Sequence, residues 1–271
     1  MRIRKIFYHS SRYLLVLLIF LMPFIRNISS ARFSGNNAYG YFLFCFGGLY
    51  AASSLDVMTL LLFLVPQFLL IYLFSDIMQE DCLINAIYVF PRMGKKQKWL
   101  FQKTIQIFSR IVIAFAFLFF LALILAIFSG MSFEPFNAAI FKMLLDMFFF
   151  QVLSIFLFSF LQNFLSLQYG SAQSFFLVVL LYTALLGIAL VSYHSGVPAF
   201  LLALLIPTNQ MTIWHCGLPS VPGAEGLLGN PLNGFKTWYS YLILIGFSVL
   251  CYRIARHIFL QRDSIEMMKE E

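Results

Sequence analysis

Charge is what this sequence has least of. Only 11% of its 271 residues are Asp, Glu, Lys or Arg, against about 25% in a soluble domain. Hydrophobic residues make up 61% of the chain. So few charges cannot coat a soluble globule, which excludes a soluble fold. Runs of about 20 apolar residues recur, the length that crosses a hydrocarbon layer of about 30 Å. We read the chain as an all-α polytopic membrane protein.

Other absences narrow the chemistry. The four cysteines (Cys45, Cys82, Cys216, Cys251) stand far apart with no CxxC, so neither a zinc site nor a disulfide framework is expected. There is no HExxH and no GxSxG, which argues against a zincin and a serine hydrolase. Glu80–Asp81 is a lone acidic pair without a histidine array. The four histidines (His9, His194, His215, His257) are read as interfacial residues rather than ligands. The nearest approach to a phosphate-binding loop, "GNPLNGFKT" at 229–237, has one residue too many between its second glycine and its lysine. No metal site and no ATP site is therefore expected on this chain, and an intramembrane hydrolase built on Asp146, His194 or His215 stays open as a third reading. The net charge of +7 is read as a topology signal, not as an affinity for nucleic acid.

What is present is a series of apolar spans in a single domain, 1–271. They are expected at about 6–26, 57–75, 104–128, 138–161, 174–193 and 237–252. The first follows a basic start (Arg2, Arg4, Lys5) and resembles a signal sequence retained as an anchor. Residues 1–12 would lie partly along the membrane surface, and 27–37 would form a loop. Residues 38–56 are left as an outer piece, a re-entrant piece or part of the second span. Gly196–Pro207 is too short to span, and suits a re-entrant or interfacial helix within an outer segment, 196–236. In this arrangement Arg26, Arg32, Lys142 and Lys236 lie outside and every other Lys and Arg lies inside. That satisfies the positive-inside rule with both termini cytoplasmic, at the cell membrane.

Asp146 is one of the few charges deep in a span. An isolated aspartate at a helix centre costs about 2.5–3.5 kcal/mol on insertion scales. Two readings stay open. Lys142, four residues earlier on the same face, pairs with it, or Asp146 and the deeper Gln151 mark a substrate path. The 34 phenylalanines are taken as lipid-facing filler ahead of an aromatic binding path.

The segment 76–103 carries the densest pattern. From Met78 to Phe90, a helical reading places Cys82, Leu83, Ala86, Ile87 and Phe90 on one apolar stripe; Asp81, Asn85 and Tyr88 fall opposite, and Ile84 fits less well. Acidic residues favour its N-terminal end and Pro91 stops it. Arg92, Lys95, Lys96 and Lys98 follow, then Trp99 as an interface anchor and Lys103. Such a helix could rest on anionic head groups, form an ordinary topogenic loop, or dock a cytoplasmic partner.

This order of features resembles the first coupling-helix region of ABC-2 type transporter permeases: Glu80–Asp81, the helix Leu83–Tyr88, Pro91, the basic cluster, Trp99 and Lys103. The layout is also similar, with a basic interfacial start, six spans and a re-entrant segment between spans five and six. Cys82–Leu83 depart from the family's Gly-Thr after the acidic residue. The small size and Phe-rich spans are similar to Gram-positive peptide or lantibiotic export and immunity permeases. The resemblance implies two permease subunits, as a homodimer or heterodimer, above two separate ABC ATPase subunits that hold ATP and Mg, so that catalysis lies on the partner and no residue of this chain is catalytic. It implies coupling to the ATPase through Glu80, Asp81, Leu83, Ile84, Ala86, Ile87, Tyr88, Phe90, Pro91 and Arg92. Lys95, Lys96, Lys98, Trp99 and Lys103 would set the interface with the lipid membrane. A peptide or hydrophobic substrate would be expelled. The competing expectation is a stand-alone membrane immunity protein that binds without transport.

Overall fold

The computed structural model describes residues 2–49, 57–79, 96–222, 224 and 231–261, with the backbone alone for 2–17. The described residues form helices and no strand; one isolated bridge joins Asn37 to Ser132. In chain order the helices are α1 (Arg2–Phe33), α2 (Ala38–Phe46), α3 (Val57–Leu73), α4 (Lys96–Phe128), α5 (Ala138–Tyr169), α6 (Ser171–His194), α7 (Ala199–Ala203), α8 (Ile206–Gln210) and α9 (Thr237–Gln261). A single 3₁₀ turn, Thr212–Trp214, follows α8.

Among the described residues, five helical stretches are long and apolar enough to cross a membrane: Val57–Gln79, α4, α5, α6 and α9. The described residues thus form a helical bundle of the membrane class. Helix α5 is the central post, packed against α3, α4, α6, α8 and α9. In its most apolar window 67% of residues are buried by protein, against 33% or less in the other four. The bundle has two ends. We call the end holding the 129–137 connection the upper end, and the end at Lys96 the lower.

Caps fix the upper end. The Asn37 side chain accepts hydrogen bonds from the Tyr39 and Gly40 amides (2.9 and 3.4 Å) and starts α2. Its Nδ2 donates to Glu134 O at 2.6 Å, which ties α2 to the α4–α5 connection. Asn137 caps α5 in the same way, accepting from the Ile140 amide at 2.8 Å. Helix α2 has 9 residues, so it reaches only about 14 Å into the bundle and cannot cross it. Helices α7 and α8 have 5 residues each. Both short pieces descend into the protein between long helices.

Several boundaries differ from those expected. Helix α1 continues through Asn27 to Phe33 instead of giving way to a loop, because the Asn27 amide is satisfied by Phe44 O of α2 at 3.0 Å. Helix α5 runs on past residue 161 to Tyr169. Its polar residues there, Gln162, Asn163 and Ser166, are buried against protein, not turned out into a loop. The chain then reverses at Gly170, whose φ of 79° suits glycine. Helix α4 begins already at Lys96. The phenylalanines divide between the core and the outer surface: Phe117, Phe120, Phe128 and Phe176 are exposed. Phe24, Phe74, Phe115, Phe150 and Phe158 are almost fully buried, and Phe46 stacks on Phe119 with centroids 4.2 Å apart.

Candidate functional site

The two short descending pieces meet at Gln151. That residue lies about 20 Å down α5 from Ala138 and is 1% exposed. Its Nε2 donates to Phe46 O, the last carbonyl of α2, at 2.7 Å, and more weakly to Gln210 O of α8 at 3.5 Å. Its Oε1 accepts from Gln210 Nε2 and, at 3.4 Å, from Gln67 Nε2 of α3. Tyr182 of α6 donates to Gln210 Oε1 at 2.7 Å. One glutamine therefore joins α2, α3, α5 and α8, with α6 one bond away. Gln67 is buried too, and its Oε1 finds no partner among the described residues.

The backbones of the two pieces touch just beside this knot. Ile213 N donates to Gly47 O at 3.1 Å, and Trp214 Nε1 to Leu49 O at 3.0 Å. Gly48 has φ +106°, and a Cβ there would sit 2.8 Å from Met211. Glycine is required at that position both for its conformation and for the close approach.

A second chain of polar groups runs to α9. Asn209 Nδ2 donates to Ala203 O at 2.6 Å and Leu205 O at 3.2 Å, which fixes its orientation. Its Oδ1 faces Ser240 Oγ at 2.7 Å. Ser240 Oγ lies 2.7 Å from His215 Nε2 as well. His215 Nδ1 faces two carbonyls, Met211 O and Thr212 O, each at 3.1 Å. Carbonyls only accept, so Nδ1 carries the ring proton and Nε2 is the acceptor. The single hydroxyl proton of Ser240 thus serves two acceptors. The imidazole is stacked between Phe150 (4.8 Å) and Phe235 (4.2 Å). His215 lies in the connection before α9, outside the spanning helices, and burial lowers its pKa from 6.5 to about 4. It is an enclosed, neutral residue, not an interfacial one.

Asp146 is 6% exposed and accepts from Tyr241 of α9 at 2.7 Å. Lys142, the expected partner, is exposed, and the carboxylate meets the tyrosine instead. On a helix Asp146 lies one turn above Phe150, which itself packs on Tyr241. The structure therefore brings Asp146 and Gln151 to the same helix but to different neighbours: Asp146 to α9, Gln151 to α2 and α8.

Of the basic and aromatic residues expected at the lower interface, Lys96, Lys98, Trp99 and Lys103 are described and all lie in the first turns of α4. Trp99 is not a lipid-facing anchor. It is fully buried, its ring stacked on Phe259 of α9 at 5.3 Å, because α4 starts early enough to carry it against α9. Lys98 is exposed, and Lys103 Nζ donates to Gln106 Oε1 at 2.9 Å. Glu80, Asp81, Leu83, Ile84, Ala86, Ile87, Tyr88, Phe90, Pro91, Arg92 and Lys95 lie outside the described residues.

A sequence-family profile described as "Protein of unknown function (DUF2705)" matches residues 14–265. The chain belongs to the DUF2705 family. No curated protein and no solved structure matches it. The match spans every helix that enters the polar knot of this DUF2705 chain.

The knot is neutral. Among the described residues no three His, Cys, Asp or Glu side chains come together as a metal site. Amides and hydroxyls at this depth can exchange hydrogen bonds among themselves, and in a low-dielectric interior a buried group that lost its partner would be costly. Such a network suits a joint between packed elements better than an acid–base centre. Gln67, Gln210, Tyr182, Asn209, Ser240 and His215 were not singled out in the sequence for this role. The one signal for α8 was the polar run "TNQMT" (208–212) inside an apolar, proline-punctuated stretch.

Proposed function

We propose that this DUF2705 chain is the membrane-spanning permease subunit of an ATP-driven ABC exporter. On this reading α1 is a first span and the five long apolar stretches are the other five. The lower end is cytoplasmic, with both termini there, and residues 80–95 join α3 to α4 as the docking segment for a separate ATPase. Two permease subunits enclose the path, and the cargo is an antimicrobial or other amphipathic peptide, or a hydrophobic molecule.

The observation that carries the reading is the placement of the short helices. Non-spanning pieces descend from the upper end before α3 (α2) and between α6 and α9 (α7 and α8), and both end on the central post at Gln151. Backbone that stops at mid-depth is tolerated in a membrane protein only where protein buries it or it lines a path. Movement of α3 or α5 at the lower end would be felt at Gln151, because Gln67 and Gln151 link those two helices beside the descending pieces. That is the geometry by which closure of an ATPase below could open a route above.

The test is recovery of the full-length chain from native membranes in mild detergent. An ATPase subunit should copurify. Glu80→Lys, Asp81→Lys and Ile87→Pro should each uncouple ATP turnover from export while the chain still inserts. A chain that purifies alone, and whose protective effect survives deletion of neighbouring ATPases, would instead be the stand-alone immunity protein.

A further inference from the structure

Helix α3 ends at Leu73, but the apolar stretch runs on to Gln79. Residues 74–76 form a turn, and helical geometry returns at 77–79. Phe74 N still bonds Leu70 O at 3.3 Å, but Ser75 N reaches only three residues back, to Tyr72 O at 3.2 Å. In an unbroken helix the Met78 N–H would donate to Phe74 O, four residues earlier. Here the carboxamide of Asn163, from α5, stands between those two groups. Its Oδ1 accepts from Met78 N at 3.1 Å, and its Nδ2 donates to Phe74 O. The side chain offers the helix one acceptor and one donor, as a peptide group would. A side chain inserted into the i→i−4 ladder is an established cause of a kink.

Asn163 is built for this position. It is fully buried, and its Nδ2 also donates to Ser159 O on its own helix at 2.8 Å. A second tether lies beside it: Asp76 Oδ1 accepts from Ser75 Oγ at 2.8 Å and from Ser171 Oγ, at the start of α6, at 2.9 Å.

We propose that Phe74–Met78 is a two-state hinge, and that Asn163 is the positioning residue that holds it bent. Two arrangements satisfy the backbone between Phe74 and Met78. In the bent one Asn163 bridges Phe74 O and Met78 N. In the straight one those groups bond each other and Asn163 keeps its contact with Ser159 O. Passing between them redirects the helical segment 77–79 relative to α5. The hinge stands on this geometry alone; only what drives it rests on the proposed docking role of residues 80–95.

The experiment uses the full-length protein in lipid nanodiscs, with its native cysteines replaced and nitroxide labels at Gln79 and Tyr169. The wild type should give one label-to-label distance. Asn163→Ala should shift or split that distance by several Å. Asn163→Asp should do the same, since its second oxygen would oppose the Phe74 carbonyl. Asn163→Ser, a milder change, carries the comparison if the alanine variant does not fold. Hydrogen exchange at the Met78 amide supplies a readout that a passive clamp would move differently. If the helix bond re-forms, protection of Met78 survives in Asn163→Ala. An unchanged distance with Met78 exchange accelerated by about tenfold or more would overturn the hinge. If the distance shifts but no ATPase copurifies, the hinge stands and the docking reading falls. If export uncouples with the distance unchanged, the hinge falls and the docking reading stands.

Discussion

Helices α4 and α5 are nearly the same length, 33 and 32 residues, yet they are buried by protein to different degrees. In its most apolar window α4 is 28% buried, and it turns Ile113, Phe117 and Phe120 outward. Helix α5 is 67% buried in the same measure. It carries Asp146, Gln151, Ser154, Gln162 and Asn163 inward. The difference shows that in this bundle the buried polar side chains gather on the helix with the most protein around it, while the exposed face of α4 is apolar. The reason is the absence of a hydrophobic driving force between helices in lipid. Association then relies on packing and on hydrogen bonds between helices, so polar side chains belong where helices meet.

If that contrast is right, the largest effect comes from removing the centre of the α5 network. Gln151→Leu keeps most of the volume but strips partners from Phe46 O, Gln210 Nε2 and Gln67 Nε2. Each buried group left unpaired costs about 1–3 kcal/mol, so the loss should be on the order of 4 kcal/mol. Thermal unfolding of the purified protein in detergent should show it as a large fall in Tm. A near-neutral result would mean that the network relaxes onto other partners, and that α5 is not the joint described above.

The next effect is a pH dependence with a definite sign. His215 has a folded-state pKa near 4 against an ordinary value of 6.5. Below pH 6.5 the unfolded chain takes up a proton that the folded chain refuses. The stability present above that pH is therefore lost progressively as pH falls towards 4, by up to about 3 kcal/mol. A Tm series across pH 7.5 to 4 measures it, and His215→Phe should flatten the acid limb. Stability that rose on acidification would mean that the imidazolium, completing the bonds to Ser240 and Asn209, outweighs burial.

Smaller still is the backbone contact between the descending pieces. Gly48→Ala forces a side chain into φ +106° and to 2.8 Å from Met211. A cost of about 2 kcal/mol is expected. Gly187→Ala, with nothing within 4 Å of its Cβ position, is the control in the middle of α6 and should be neutral or mildly stabilising.

Much of the fold could be read from residue types, and the reasons for what could not are local. Missing charge and long apolar runs led directly to the membrane class. The proline-bounded stretch Gly196–Pro207 was too short to span, and α7 and α8 are indeed short. The ends of α1 and α5 were misplaced because Asn27 and Gln162–Asn163 look like loop residues until their partners are seen. Those partners, Phe44 O, Phe74 O and Met78 N, are backbone groups, which carry no sequence signature. The same holds for the site. Gln151 and Asp146 stood out as polar residues inside a span. Their partners Gln210 and Tyr241 come from elements more than 50 residues away. Ser240 at a helix start and His215 in a loop looked ordinary for the same reason. Trp99 followed a statistical preference for interfaces that a specific neighbour, Phe259, overrode.

The smallest effect belongs to the outer face of α4, and it sharpens the comparison most. Ile113 is 67% exposed. If its surroundings are lipid tails, Ile113→Ala exchanges one apolar contact for another and should change stability by less than about 0.5 kcal/mol. The measurement is Tm alongside the oligomeric state in the same detergent. A larger loss, accompanied by a change in oligomeric state, would show that this face is covered by protein. Helix α4 would then be no less an interior helix than α5, with its interior lying between subunits. The second permease chain of the proposed exporter would have its place there, against Ile113, Phe117 and Phe120.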